Sequence, residues 1–335
     1  MHFQRGDWKR RITQGLFVLS AVIITGSLVG VAYEQVAASR ARSRCPMVGR
    51  LVDVGGYRLH LNCSGSGGLT VVFDSGALDS SRQWDLVQPQ IAKTTLSCSF
   101  DRAGLGWSDR SATRPSFAEN ARELHGLLRK AGIPPPYILV GHSNGGLDMQ
   151  TFAYEYPDDV IGMVLDDSVH ADETIRFRTR FATPVWEKAV LRIGVRLGVA
   201  RLFGWCDQSG ACPDCVKFTD TLIDQFATYP QSEAEVRSSA SFRSIPLFVL
   251  EHDPKVGLAG ERDEAFEQAW IGWQRNLAMR SSNSKLEVVT GAGHEIQTDQ
   301  PQRVVDAIGW VMKQLDQSAT GEEVRSAERS QAGSH

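Results

Sequence analysis

Residues Gly141-His142-Ser143-Asn144-Gly145 set a serine hydroxyl between small neighbours in the pattern G-x-S-x-G. A serine hydroxyl is a weak nucleophile until a base takes its proton and donors stabilise the oxyanion that forms. Small residues on either side are what a serine needs if it sits on a tight, strained turn where a strand and a helix approach closely. The chemistry this points to is acyl transfer. In a chain with 31 glycines the pattern has a competing reading, a glycine-rich turn with a spectator serine. Context decides against that. Tyr137-Ile138-Leu139-Val140 precedes the motif and is apolar on both faces, as a strand buried on both sides must be. A helix opening at Gly145-Gly146 and running through Phe152 follows it.

The surrounding elements alternate in the same way. Residues 50–54 and 57–63 are β-type runs separated by Gly55-Gly56, a two-residue hairpin signal. Residues 69–73 and 96–100 read as short strands, with a helix over residues 81–92 between them. Ser116 and Glu119 form a capping box for a helix whose Phe117, Ala121, Leu124, Leu128 and Ala131 share one face. Gly132 and Pro134-Pro135-Pro136 end it. Residues 161–165, 245–250 and 286–289 repeat the buried-strand pattern, and Val304, Ile308, Val311 and Leu315 mark a last amphipathic helix. Strands alternating with helices predict a mostly parallel sheet covered on both faces, with an antiparallel edge from the opening hairpin. About eighty residues between the strands ending near Leu165 and beginning near Ile245 break the alternation. A helical insertion fits them, because a plain connection is never so long. The expected organisation is a core of residues 49–169 and 244–316, an insertion of residues 170–243, and a polar tail of residues 317–335 without secondary structure.

Of the 335 residues, 42% are hydrophobic and 22% charged, an ordinary globular balance. The net charge of −3 offers no basic field for phosphates, which argues against nucleic acid as a partner. Residues 12–33 carry no charged side chain, a run long enough to cross a hydrocarbon core as a helix. Arg5, Lys9, Arg10 and Arg11 precede it and place residues 1–11 in the cytoplasm, although Arg40, Arg42 and Arg44 in the linker of residues 34–48 weaken the asymmetry. The expectation is a membrane anchor with the catalytic part extracytoplasmic. Its alternative is a signal peptide cleaved near Val36-Ala37-Ala38, leaving a secreted protein. Six cysteines suit an oxidising compartment. Cys206, Cys212 and Cys215 read as a disulfide-stapled loop, the odd one seeking Cys45, since no further ligands for zinc lie nearby.

From about Arg50 to Leu315, four-fifths of the chain, the sequence resembles the α/β-hydrolase superfamily, in particular its lid-bearing esterases and aminopeptidase-like members. The resemblance rests on four motifs in order: Phe73-Asp74-Ser75-Gly76-Ala77, Asp101-Arg102-Ala103-Gly104-Leu105-Gly106-Trp107-Ser108, the serine motif, and Gly291-Ala292-Gly293-His294. It implies an eight-stranded α/β-hydrolase fold with a helical lid over Ser143. It also implies Ser143 as nucleophile, and the backbone N–H groups of Ala77 and Asn144 as oxyanion donors. Ser75-Gly76 stands where many relatives have His-Gly. His294, after the last strand, is the implied base. His142 adjoins the serine, but neighbouring side chains on such a turn diverge, which leaves it a packing role; His252, His170, His125 and His60 read as structural or surface residues. The implied acid follows a strand end between Ser143 and His294: Asp253 is preferred and Asp167 is the alternative. Adjacent second and fourth strands in such a fold would let Cys63 pair with Cys98; two independently buried thiols are the alternative.

On the insertion, Val185, Trp186, Ala189, Val190, Ile193, Leu197, Leu202 and Phe203 have helical spacing. The preferred reading makes this stripe core packing and Lys188, Arg192, Arg196 and Arg201 a solvated face; the alternative sets those cations near anionic headgroups. The expected function is hydrolysis of a small-molecule ester, with no metal or cofactor. Amide or aminopeptide cleavage, or a catalytically silent membrane-tethered binding protein, are the alternatives. Serine in place of aspartate at the motif argues against epoxide hydrolysis and dehalogenation.

Overall fold

A computed structural model describes residues 5–77, 79–173, 184–204, 206, 214–237, 242, 244–257 and 264–332. Its strands are β1 (Arg50–Asp53), β2 (Arg58–Ser64), β3 (Thr70–Asp74), β4 (Leu96–Phe100), β5 (Tyr137–His142), β6 (Val160–Asp166), β7 (Leu247–His252) and β8 (Ser284–Val289). They form one sheet in the order β1-β2-β4-β3-β5-β6-β7-β8. β1 and β2, and β2 and β4, are antiparallel; the other neighbours are parallel. The antiparallel edge begins where Gly55 and Gly56, at φ of 123° and 97°, turn the chain and donate both N–H groups to Asp53 Oδ1. β3, β5 and β7 are buried along their whole length, because parallel neighbours need crossover helices that cover both faces.

The helices that matter are α1 (Arg5–Arg44), α2 (Phe117–Ala131), α3 (Asn144–Glu155), α4 (Val185–Arg196), α5 (Val199–Leu202), α6 (Cys215–Arg237), α7 (Glu264–Ala278) and α8 (Pro301–Ala332). Ser116 Oγ accepts the Glu119 N–H to start α2, and Gly132 at φ 77° ends it. Ala121, Leu124 and Leu128 of α2 and Phe152 of α3 pack with Leu61, Val72 and Leu139 on one face of the sheet. Trp84 and the α8 residues Val304, Ile308 and Val311 pack with Val71, Val140 and Leu250 on the other. The expected mostly parallel sheet with helices on both faces is therefore the observed one, and α4–α6 lie between β6 and β7 in the chain.

The chain divides into two compact units, Met1–Pro46 with Thr183–Asp220, and Met47–Ala182 with Thr221–His335. In the first, α1 includes the uncharged run and is long and apolar enough to cross a membrane by length and composition. The expected linker is helical as far as Arg44. Its Ala, Glu, Gln and Arg residues favour helix, and Glu34 and Ala38 are buried. The stripe expected to be core is corrected: Val185, Trp186, Val190 and Ile193 are exposed, while Leu191 and Val195 face a small core around the Cys206–Cys215 disulfide. Arg201 is not solvated either. It is buried in a bidentate pair with Glu34.

In the second unit, Cys63 and Cys98 face each other across β2 and β4 and are joined in a disulfide. In the first unit Cys45 is also disulfide-bonded; Cys212 lies outside the described residues. The tail expected to lack structure continues α8 as far as Ala332, through a run of Ala, Glu, Gln and Arg. Residues 1–4, 333–335 and parts of the insertion fall outside the described residues.

Candidate active site

β5 ends at His142 and α3 begins at Asn144, so the whole turn is one residue, Ser143, at φ 52° and ψ −117°. A non-glycine residue with this φ is held there only by its surroundings. The flanking glycines are a packing requirement. A Cβ at Gly141 would lie 2.6 Å from the Gly145 carbonyl oxygen, and one at Gly145 would lie 2.6 Å from the carbonyl oxygens of both Asp74 and Ser75.

Ser143 Oγ lies 2.9 Å from His294 Nε2, and His294 Nδ1 lies 2.5 Å from Asp167 Oδ2. His294 stands where the sequence places it, in the loop after β8. The carboxylate is a correction. Asp253, the preferred acid, does not reach His294: its oxygens accept the N–H groups of Lys255 at 2.9 Å and Gly291 at 2.8 Å. Those two bonds hold its carboxyl below the usual range and tie the loop after β7 to the loop that carries His294. Asp167, directly after β6, takes the place at His294 by adopting φ 44°.

Asp167 is fully buried and accepts four further bonds: one from the His252 N–H, two from His252 Nδ1 and one from Trp270 Nε1 at 2.9 Å. Burial pushes its carboxyl up, but the hydrogen bonds and charges of His252 and His294 outweigh burial and hold it well below the carboxylate range. His252 lies between two carboxylates, with Nε2 3.0 Å from Glu267 Oε2. Burial lowers its pKa, yet Asp167 and Glu267 lift it to about 9, so it is an imidazolium at neutral pH. For His294 burial again favours the neutral ring, and Asp167 reverses the balance to raise the pKa above the ordinary histidine value.

His142 does more than pack. Its Nε2 donates to the His294 carbonyl oxygen at 3.0 Å and braces that loop. Burial, then the charge of His294, pushes its pKa to about 4, so it stays neutral.

Residues 75–77 are clamped from both sides. The buried Arg102 donates through Nη2 to the Gly76 carbonyl at 2.5 Å, and through Nη1 to Asp74 Oδ1 (2.7 Å), the Ser75 carbonyl (2.6 Å) and Asp148 Oδ2 (3.3 Å). Gln83 Oε1 accepts the Gly76 N–H at 2.8 Å. The Gly76 carbonyl and the Ala77 N–H belong to one planar trans peptide and point in opposite directions, so Arg102 fixes the aim of the Ala77 N–H. The loop that delivers Arg102 is turned by Asp101, whose carboxylate accepts the N–H groups of Ser81 and Trp107. A Cβ at Gly106 would lie 2.1 Å from Asp101 Oδ2.

Ser143 and His294 open on a cavity of about 270 Å³ bordered by Ala77, Asn144, Val169, Phe226, Tyr229 and Glu295, among others. Tyr229 donates its hydroxyl to Asn144 Oδ1. Asp79 also borders it, and burial, then the charge of Glu295, pushes its pKa up to about 6. Among the described residues, two groups of side chains have ligand atoms close enough for a metal ion, His142–His294–Glu295 and Asp167–His252–His294. Both depend on His294, whose two ring nitrogens already meet Ser143 and Asp167, so neither fits a resident metal.

The residue that meets His294 Nδ1, Asp167, is one of the two alternatives the sequence offers, whereas the sequence reading assigns no role to Arg102, Gln83 or Trp270. For Arg102 a signal existed, because it lies inside one of the quoted motifs. Trp270 reaches Asp167 from 103 residues away in the chain, and although Gln83 lies only seven residues after Gly76, no motif marks it as the acceptor of that N–H.

A family model described as the alpha/beta hydrolase family matches residues 71–307. The uncharacterized protein YqjL of Bacillus subtilis (strain 168) is 27% identical over 251 residues, covering 73% of this chain and 83% of that protein. Two further curated relatives are longer, and the matches cover 40% and 43% of their lengths. Among solved structures, a thermophilic esterase from Thermogutta terrifontis aligns with TM-score 0.55 and 20% identity, over 79% of this chain and 98% of that one. The epoxide hydrolase CorEH aligns with TM-score 0.57 and 19% identity, over the same shares. At these identities the structural likeness shows the fold alone.

Proposed function

This chain belongs to the alpha/beta hydrolase family, and from that premise we propose that it is a serine hydrolase cleaving carboxylic esters through an acyl-enzyme on Ser143. The observation that carries the reading is the unbroken hydrogen-bonded line from Ser143 Oγ through both nitrogens of His294 to Asp167. His294 takes the hydroxyl proton as Ser143 attacks the ester carbonyl. Asp167 holds the ring in the tautomer that leaves Nε2 free to accept, and it stabilises the imidazolium that forms. The tetrahedral oxyanion is met by the N–H groups of Asn144, the first residue of α3, and of Ala77, aimed by Arg102. His294 returns its proton to the leaving alcohol, then takes one from the water that hydrolyses the acyl-enzyme.

The same reading makes α1 a membrane anchor and the catalytic unit extracytoplasmic. It is supported by the uncharged run of residues 12–33 and by disulfides, which persist in oxidising compartments. The test is turnover of p-nitrophenyl esters of increasing acyl length, beside aminoacyl-arylamides, by wild type and Ser143→Ala. Ester turnover abolished in the variant supports the proposal. Equal turnover by both proteins overturns it, and a preference for arylamides reassigns the substrate to amides.

A further inference from the structure

The first compact unit turns the usual arrangement of a water-facing helix inside out. α4 is apolar on two sides. Leu191 and Val195 serve the small core with Ala200 and the Cys206–Cys215 disulfide. Val185, Trp186, Val190 and Ile193 point away from that core, and with Leu202 of α5 they are between 59% and 84% exposed. Trp186, Val190 and Ile193 follow each other at i, i+4 and i+7, so they form one stripe along the helix. The ionic groups of the unit, meanwhile, are drawn together: Arg196 pairs with Asp220 at 2.6 Å, and Arg201 with Glu34 at 2.7 Å.

Glu34 decides what covers the stripe. It is the first ionisable side chain after the uncharged run of α1 apart from the phenol of Tyr33. It would mark the edge of the apolar segment, yet its carboxylate is neutralised by Arg201 with both side chains 7% exposed or less. One turn earlier the backbones meet: a Cβ at Gly30 would lie 2.6 Å from the Leu197 carbonyl oxygen, and one at Gly198 would lie 2.7 Å from the Tyr33 ring. The end of α4 and the start of α5 are thus fastened to α1 at residues 30–34, where the apolar run ends. Leu16, Phe17, Val22, Leu28 and Val29 of that run are all exposed. The exposed apolar surface of α1 therefore continues onto α4 and α5 with its boundary charge removed.

We infer that the exposed apolar face of α4 and α5 lies in the interfacial layer of a phospholipid bilayer, as a second, in-plane membrane contact beside the spanning helix. This rests on reading α1 as an anchor. An in-plane helix buries its apolar face at the boundary of headgroups and acyl chains, and Trp186 suits that layer because its ring is apolar and its N–H polar. On the same helix the guanidinium groups of Arg192 and Arg196 are both held by Asp220. The attachment fixes the depth of the insertion: it cannot lift from the bilayer without breaking the buried Arg201–Glu34 pair.

The test uses the full chain in phosphatidylcholine–phosphatidylglycerol vesicles. An environment-sensitive fluorophore is attached to single cysteines introduced as Val190→Cys, Ile193→Cys and Leu202→Cys, all exposed sites whose substitution leaves the small core untouched. Val22→Cys reports on the anchor and Gln302→Cys on the aqueous side. Quenching by lipids carrying a nitroxide near the headgroup, and for position 22 by lipids carrying one deep on the acyl chain, is compared with quenching by iodide. The expected result is blue-shifted emission and several-fold stronger lipid quenching at positions 190, 193 and 202 than at 302, with protection from iodide. If Val22 is lipid-quenched while 190, 193 and 202 respond only to iodide, the inference fails and the anchor stands. If 190, 193 and 202 are lipid-quenched and Val22 is not, the in-plane contact stands and the anchor reading fails. Probes shielded from both quenchers would mean that a second protein copy covers the stripe, which also overturns the inference.

Discussion

Arg102→Lys separates the aiming of the oxyanion donor from the charge that balances two buried carboxylates. In the wild type, Nη1 serves three acceptors, Asp74, the Ser75 carbonyl and Asp148, while Nη2 serves the Gly76 carbonyl. A lysine ammonium has three N–H groups and a single point of attachment. It can satisfy the first three acceptors and keep Asp74 and Asp148 paired, but it cannot also reach Gly76 along the second arm of the fork. What is removed is one charge-assisted hydrogen bond, worth about 1.5–3 kcal/mol. If that whole sum falls on the transition state, where the Ala77 N–H meets the oxyanion, kcat drops by ~10- to 100-fold. This stays within the ~10²- to 10³-fold cost of losing an oxyanion donor outright, as it should, because Gln83 still holds the Gly76 N–H. KM should change by less than about threefold, since the ground-state carbonyl makes little use of the donor. The assay is steady-state hydrolysis of a p-nitrophenyl ester, with thermal unfolding measured in parallel. A folded Arg102→Lys protein with kcat within about threefold of wild type would refute the reasoning, as would a loss confined to KM.

The choice of acid is open to a paired comparison. Asp167→Asn should lower kcat/KM by ~10³- to 10⁴-fold at neutral pH, and Asp253→Asn by much less; the reverse order would return the acid to Asp253. His294 must be neutral to act as base, and Asp167 raises its pKa. The kcat/KM profile should therefore rise with pH with a midpoint above about 6.5, and the residual activity of Asp167→Asn should show a lower midpoint; an unmoved midpoint contradicts the assignment. His252, with its folded pKa raised to about 9, contributes stability that is complete below about 6.5 and lost as pH rises through about 9. Tm should fall across that window in wild type and fall less in Glu267→Gln, and a flat wild-type Tm would count against a charged His252. The Cys63–Cys98 disulfide closes a loop of 35 residues, worth about 4 kcal/mol in the loop-entropy account. Replacing both cysteines with alanine should lower the unfolding free energy obtained from urea titration by most of that, and no change would mean that the strands already carry the constraint.

Much of this fold is legible because its signals are local. The run Tyr137–Val140, the glycines around Ser143 and the Ser116–Glu119 cap each announce a strand, a turn or a helix within a few residues. His294 was legible for the same reason, since position after the last strand fixes it. The acid was not, because Asp167 and Asp253 both follow strand ends and differ only in what captures their carboxylates. For Asp253 those are two backbone N–H groups, one of them contributed by Gly291 from another loop. The buried face of α4 is not legible in the sequence for a related reason. Period 3.6 shows that a helix has an apolar stripe but not what covers it, and the burial of Arg201 depends on Glu34, 167 residues away in the chain. The helical tail shows the converse, as composition alone suggested disorder while Ala, Glu and Arg also favour helix.

We propose that Ser143 is the nucleophile activated by the His294–Asp167 pair. The most direct test is to treat the full chain with a fluorophosphonate and map the adduct by peptide mass spectrometry. One adduct is expected, on Ser143, absent from Ser143→Ala, strongly slowed in Asp167→Asn and little changed in Asp253→Asn. A folded wild-type protein with Ser143 unmodified, or with the adduct on another residue, would contradict the proposal.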